Sequence, residues 1–97
     1  MKLRFTRRAT ENLTEIADYI HERNPVAGRR VQAAIYEGLR NLLLFPYAGR
    51  PQKIEGVRKF VTHRYPYLIY YIVDEAAAEV VVLNVKHPAR ERDHEDA

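Results

Sequence analysis

A two-layer α+β architecture is the fold class the sequence predicts: an N-terminal strand, a helical hairpin and an antiparallel β-meander, with the hairpin covering one face of the sheet. Three observations carry it. Apolar residues recur at helical spacing through residues 7–44, the period turns strand-like beyond residue 56, and a proline-bearing segment at 46–55 separates the two regimes.

Each element follows from local chemistry. Residues 2–5 alternate polar and apolar side chains, and Thr6 offers a hydroxyl to the orphan amides of a helix beginning near Arg7. Such a cap contributes about 1 kcal/mol. Ala9, Leu13, Ile16, Ala17 and Ile20 form the apolar stripe of that helix, while Glu11, Glu15, Asp18 and Glu22 line another face. Asn24-Pro25 is the joint, because asparagine suits a cap and proline, lacking an amide hydrogen, suits the first helical turn. The second helix carries Val31, Ile35, Leu39, Leu42 and Leu43 on its inner stripe. It stops at Pro46, which denies a backbone donor and biases Phe45 away from helical angles. Residues 46–55 (PYAGRPQKIE) are expected to form one long loop.

Three runs then make the meander: VRKFVT at 57–62, YLIYYIV at 67–73 and EVVVLNVK at 79–86. The middle run is apolar on both faces, as a central strand requires. Residues 74–78 are polar and then small, which fits a hairpin connection. In the last run Val81, Leu83 and Val85 alternate with Val80, Val82, Asn84 and Lys86. The purely apolar set is expected to face the helices, which leaves Asn84 and Lys86 on the uncovered face.

Composition narrows the function classes. Residues 1–97 read as one domain burying roughly 60–65% of the surface of its unfolded chain. Cysteine is absent, which accords with a reducing cytoplasm and excludes a disulfide framework. No uninterrupted apolar run occurs in the first twenty residues, so neither a signal peptide nor a membrane span is expected, and the location is read as cytoplasmic. Residues 1–88 hold 14 Lys/Arg against 9 Asp/Glu, whereas residues 89–97 hold 2 against 4. A basic body with an acidic, mobile tail at 89–97 is expected. That excess is compatible with nucleic acid, an acidic protein partner, or ordinary surface charge.

Arg58, Lys59, Arg64, Lys86, His87 and Arg90 bracket the meander, whose short connections gather them around one small sheet as a surface for an anionic partner. Arg58 opens a strand, where it either pairs with a carboxylate or faces a phosphate-like ligand. Tyr65, Tyr67, Tyr70 and Tyr71 serve the core or its edge, or stack on bases; burying one ring contributes about 1.5–3 kcal/mol. His87 precedes Pro88, a position suited to packing, to proton transfer or to partner contact. His21, His63, His87 and His94 show no paired ligand spacing, so no metal is expected. Gly49-Arg50-Pro51 lacks the lysine-serine/threonine ending of a phosphate loop, and no cofactor is expected.

Nearly the whole chain resembles the RelE/ParE superfamily of bacterial type II toxins. The resemblance lies in ATENLTEIADYIHERNPVAGRRV, FPYAGRP, GVRKF, RYPYLIYYIVD and VVVLNVKHPAR, in that order and spacing. It implies a strand-helix-helix-sheet fold with the first strand beside the last, and a cognate antitoxin encoded by a neighbouring gene. It also implies one of two activities. RelE-like members cleave messenger RNA in the ribosome, and ParE-like members block DNA gyrase by protein binding. The helix phrase and the loop look more like the ParE branch.

A metal-independent endoribonuclease needs a proton acceptor, a proton donor and cations on the phosphate. Arg58, Arg64, Lys86 and Arg90 are candidate cations, and His63 and His87 are the candidates for proton transfer. The resemblance implies a functional tyrosine or histidine near the C-terminus of ribonuclease members; here no tyrosine follows Tyr71 and residues 89–97 supply only His94, so that constellation is incomplete. The reading is therefore a ParE-like gyrase inhibitor, not an enzyme, with Arg58, Lys59, Arg64, Asn84, Lys86 and Arg90 as target- or antitoxin-binding residues. A ribosome-dependent mRNA endoribonuclease using His87, His63, Arg58 and Lys86 is the alternative, and a non-toxic binding module of the same fold is the third reading.

Overall fold

The chain runs β1 (Lys2–Phe5), α1 (Arg7–Arg23), α2 (Pro25–Leu44), β2 (Arg50–Pro51), β3 (Arg58–Val61), β4 (Leu68–Asp74) and β5 (Glu79–Lys86), then a single 3-10 turn at Pro88–Arg90. This structure, a computed structural model, describes residues 1–90; the tail from residue 91, with His94, and the side chain of Arg90 lie outside the described residues. No described helix is long and apolar enough to cross a membrane.

Both helix starts form as their residues dictate. The Thr6 hydroxyl oxygen accepts the Ala9 N–H at 3.1 Å, and Asn24 Oδ1 accepts the Ala27 N–H at 3.1 Å with Pro25 in the first turn. The α2 stripe then meets the sheet: Val31, Ile35, Leu39 and Leu42 share one buried cluster with Ile69 and Tyr71 of β4 and with Val80, Val82 and Val85 of β5. Each such side chain contributes about 1.5–3 kcal/mol on burial.

The five-stranded sheet has the order β1-β5-β4-β3-β2, with β4 central, β1 parallel to β5 and the other pairs antiparallel. The first strand does lie beside the last. Three details depart from expectation. Residues 46–55 are not one unbroken loop, because Arg50 and Pro51 pair with Lys59 and Arg58 as a two-residue edge strand. Pro51 is tolerated there since an edge position needs no inward donor, and two residues are too few for a periodic signal.

Strands β3 and β4 are also trimmed by a turn. Thr62 Oγ1 donates to the Tyr65 carbonyl at 2.7 Å and accepts the Tyr67 N–H at 2.8 Å, closing the connection inside the expected strand limits.

The third departure is the phase of β5. Tyr70 pairs with Asn84 but Tyr71 pairs with Val82, so Leu83 is the extra residue of a β-bulge. Val80 and Val82 face the helices before the bulge and Val85 faces them after it. Val81 is buried outside that cluster. The expected set Val81, Leu83 and Val85 is thus corrected to Val80, Val82 and Val85. Asn84 and Lys86 keep the uncovered face because the bulge restores their parity. Helix α1 completes the local hydrogen bonding: Thr6 Oγ1 donates to the Leu83 carbonyl at 2.7 Å, and the Val85 N–H donates to Asn12 Oδ1 at 3.0 Å.

Candidate functional site

Ladder register builds a polar row across the sheet face turned away from the helices. Arg50 pairs with Lys59, Lys59 with Tyr70, and Tyr70 with Asn84, so four strands each place one residue in the row. Lys86 joins it from the next position, opposite Leu68, with Nζ 5.3 Å from the centre of the Tyr70 ring. A cation over an aromatic face contributes about 0.5–2 kcal/mol, more where water is excluded. Exclusion is substantial here, since Lys86 is only 8% exposed. Asn84 Oδ1 is buried and, among the described residues, accepts no hydrogen bond. The far end of the same face is balanced: Arg4 pairs with Glu79 at 3.2 Å, and Asp74 stands opposite Glu79.

Arg58 does not join that row. It pairs with Tyr71, whose ring is fully buried on the helix side, and its guanidinium donates to the carbonyls of Gly49 at 2.7 Å and Tyr47 at 3.2 Å. Its carbon also lies 5.0 Å from the centre of the Tyr47 ring. Backbone carbonyls therefore take the place of the expected carboxylate or phosphate.

The same loop is gripped from the core. The Tyr71 hydroxyl donates to the Pro46 carbonyl at 2.7 Å and accepts the Gly49 N–H at 2.9 Å. Burial raises the Tyr71 pKa above its ordinary 10.0. Gly49 is required sterically, because a Cβ there would sit 2.6 Å from the Tyr71 hydroxyl and 2.9 Å from the Lys59 carbonyl. Tyr47 donates to Glu75, and that hydrogen bond raises its pKa as well.

The remaining candidates collect near the Val61 end of the sheet. His63 and Arg64 are exposed in the turn between β3 and β4, with Arg64 in the left-handed region at φ 66. That conformation costs a non-glycine residue about 1–2 kcal/mol. His87 accepts the Ala89 N–H on Nδ1 at 3.1 Å and meets the Tyr67 ring edge-on, 5.5 Å between centres at 84°. One imidazole nitrogen is therefore engaged in shaping the chain after β5, leaving Nε2 for any exchange of protons. Arg90 ends the 3-10 turn by its backbone. No group of three potential metal ligands converges among the described residues.

An apolar cleft of ≈ 410 Å³ was not legible in the sequence. It lies between α1, α2 and the free edge of β1, lined by Leu3 and Phe5, by Leu13, Ile16 and Ile20, and by Ile35, Leu39 and Leu43. Periodicity places these side chains on inner stripes but cannot say that the hairpin stands apart from β1. The 36% exposure of Phe5 on a four-residue strand is its local sign.

Comparison with known proteins accords with this architecture. A family described as "ParE toxin of type II toxin-antitoxin system, parDE" matches residues 3–92. The chain is 36% identical over 86 residues to the Sinorhizobium fredii protein named "Putative toxin Y4kP", covering 89% of this chain and 86% of that one. Among solved structures it is similar to a chain of the chromosomal ParDE toxin-antitoxin system of P. aeruginosa, with 27% identity and a TM-score of 0.75 over 90% of this chain and 95% of that one. It is also similar to a chain of the RelBE2 toxin-antitoxin complex of Mycobacterium tuberculosis, with 28% identity and a TM-score of 0.65 over 89% and 95%. With its hairpin, its mixed five-stranded sheet and this match along residues 3–92, the chain belongs to the ParE toxin family of type II toxin-antitoxin systems.

Proposed function

We propose that this toxin acts in the cytoplasm by binding DNA gyrase, without hydrolysing nucleic acid, and that a cognate antitoxin from a neighbouring gene holds it inactive. The observation that carries the reading is the engagement of Arg58 with the carbonyls of Tyr47 and Gly49. Phosphodiester cleavage needs cations and both proton-transfer partners directed at one reacting phosphate. Here a principal cation serves the fold. The open face carries the Arg50, Lys59, Tyr70, Asn84, Lys86 row, with Arg50 exposed and Lys59, Tyr70 and Asn84 half-buried, a polar and cationic surface suited to an acidic protein. Arg64 is exposed in the turn at the same end of the sheet as Lys86.

The cleft beside β1 fits the antitoxin. Its lining is largely apolar and β1 is an edge strand among the described residues, a combination met by an amphipathic helix with an added strand. The ParDE and RelBE2 chains to which this one is similar come from toxin-antitoxin systems, which supports such a partner. The RelE-like reading, in which Lys59 and Lys86 hold a messenger RNA phosphate on the same face, is the competitor. Primer extension on total RNA after induced expression separates the two. The proposal expects growth arrest with intact messages, and codon-phased cleavage of translated messages overturns it.

A further inference from the structure

We infer that the Leu44–Phe45–Tyr47 corner is the anchor by which this toxin grips its target, through an apolar cleft rimmed by carboxylates on the target protein. The inference rests on the protein-binding reading above and assigns to it a surface separate from the open sheet face.

The corner is exposed, apolar and rigid at once. Leu44 ends α2 at 72% exposure, Phe45 follows at 65% and Tyr47 at 50%. Apolar groups so exposed at the tip of a loop are ordinarily mobile, but this tip is fixed from several sides. The Phe45 N–H donates to the Asn41 carbonyl at 2.8 Å, and the Ala48 N–H to the Phe45 carbonyl at 3.1 Å. The buried Tyr71 hydroxyl bridges Pro46 and Gly49, Arg58 holds the carbonyls of Tyr47 and Gly49, and Glu75 accepts from Tyr47. The Tyr47 ring is thus presented with its ordering cost met within the fold, beside a Phe45 whose backbone is fixed, an arrangement suited to a hot spot.

Charge defines the partner. Segment 46–59 contains Arg50, Lys53, Arg58 and Lys59 against Glu55, and Glu75 adds one carboxylate at the Tyr47 hydroxyl, so the border stays cationic by four to two. Arg50 and Lys53 are exposed beside the corner in sequence. An anchor of two rings and a leucine with such a border is complementary to an apolar recess edged by Asp and Glu. Phosphodiester backbone would satisfy the cations and leave the apolar side chains wet, so a protein is favoured over nucleic acid. The antitoxin cleft beside β1 uses other elements, apart from the length of α2 that both border.

The test compares the full-length toxin with Phe45→Ala and with Leu44→Ala/Phe45→Ala. Each is measured for inhibition of gyrase supercoiling, for antitoxin affinity by calorimetry and for thermal melting. The expected result is at least about a tenfold rise in the concentration needed for inhibition, with melting and antitoxin affinity kept. Lys53→Glu, at an exposed position outside the open-face row, is expected to shift inhibition in the same direction and guards against a folding defect in the double variant. Equal inhibition by wild type and all variants overturns this inference and leaves the gyrase reading standing. Loss of antitoxin affinity with inhibition unchanged also overturns it, reassigning the corner to the antitoxin. A wild-type protein inert towards gyrase overturns the functional reading and this anchor together.

Discussion

Tyr70 and Tyr71 are neighbours on β4 and go to opposite faces of the sheet. Tyr71 is fully buried against the helices, and its hydroxyl is engaged by Pro46 and Gly49. Tyr70 is half-buried on the open face, with Lys59 and Asn84 beside it in the ladder and Lys86 over its ring. The same residue type is structural on one side and presentational on the other. Arg58 and Lys59 repeat the division one strand away. The helix side fixes the loop after α2, and the open side carries the polar row proposed to meet a partner.

Removing the buried ring is expected to cost most. Tyr71→Ala should lower stability by about 3–5 kcal/mol, whereas Tyr70→Ala should cost less than half as much, as read by urea unfolding. Equal losses would break the division between the faces. Next comes the contact beneath the loop. Gly49→Ala forces a Cβ against the Tyr71 hydroxyl and the Lys59 carbonyl, an overpacking that costs about 1–3 kcal/mol. Gly56, at φ 83 with nothing within 4 Å of an added Cβ, should lose about 1–2 kcal/mol on the same substitution through backbone strain alone.

Open-face charge reversal should leave most of the stability and remove function. Arg50→Glu and Lys59→Glu are expected to weaken toxicity by about tenfold or more, equivalent to about 1.4 kcal/mol of lost binding. Arg29→Glu and Arg30→Glu, on an exposed turn of α2, should change it little. Growth assays paired with thermal melts decide this. Equal toxicity of all four variants at equal stability would remove the open face as a binding surface.

The smallest expected effect is a dependence on pH. Burial raises the Tyr71 pKa above 10.0 in the folded chain, so the folded state holds that proton more tightly than the unfolded one. The associated stability is complete below pH 10.0 and is lost as pH rises through the folded value. Tyr71→Phe removes this contribution, and its unfolding free energy should fall less steeply above that pH than the wild type's.

Much of this division was legible in the sequence where chemistry acts locally. Thr6 and Asn24-Pro25 declare the helix starts, Pro46 ends α2, and the apolar run of β4 declares a central strand. Asn84 and Lys86 lie on the face the sequence predicts, but for a reason the structure replaces. Four consecutive apolar residues in β5 hide parity, and the bulge at Leu83 inverts it. The two-residue strand β2 is too short to leave a period. The loop network joins Tyr47, Gly49, Arg58 and Tyr71 across the sheet, and no local rule in FPYAGRP foretells that Tyr71 lies beneath it. The cleft beside β1 likewise depends on how far the hairpin stands from the strand, a tertiary quantity.

The claim that the open face and the rigid corner serve protein binding is tested most directly by titrating purified toxin into a gyrase supercoiling reaction and then adding back its antitoxin. The account predicts that supercoiling falls with toxin, that the antitoxin restores it, and that translated messages added to the same preparation with ribosomes remain uncut. Undiminished supercoiling at saturating toxin, with those messages cleaved, would contradict it.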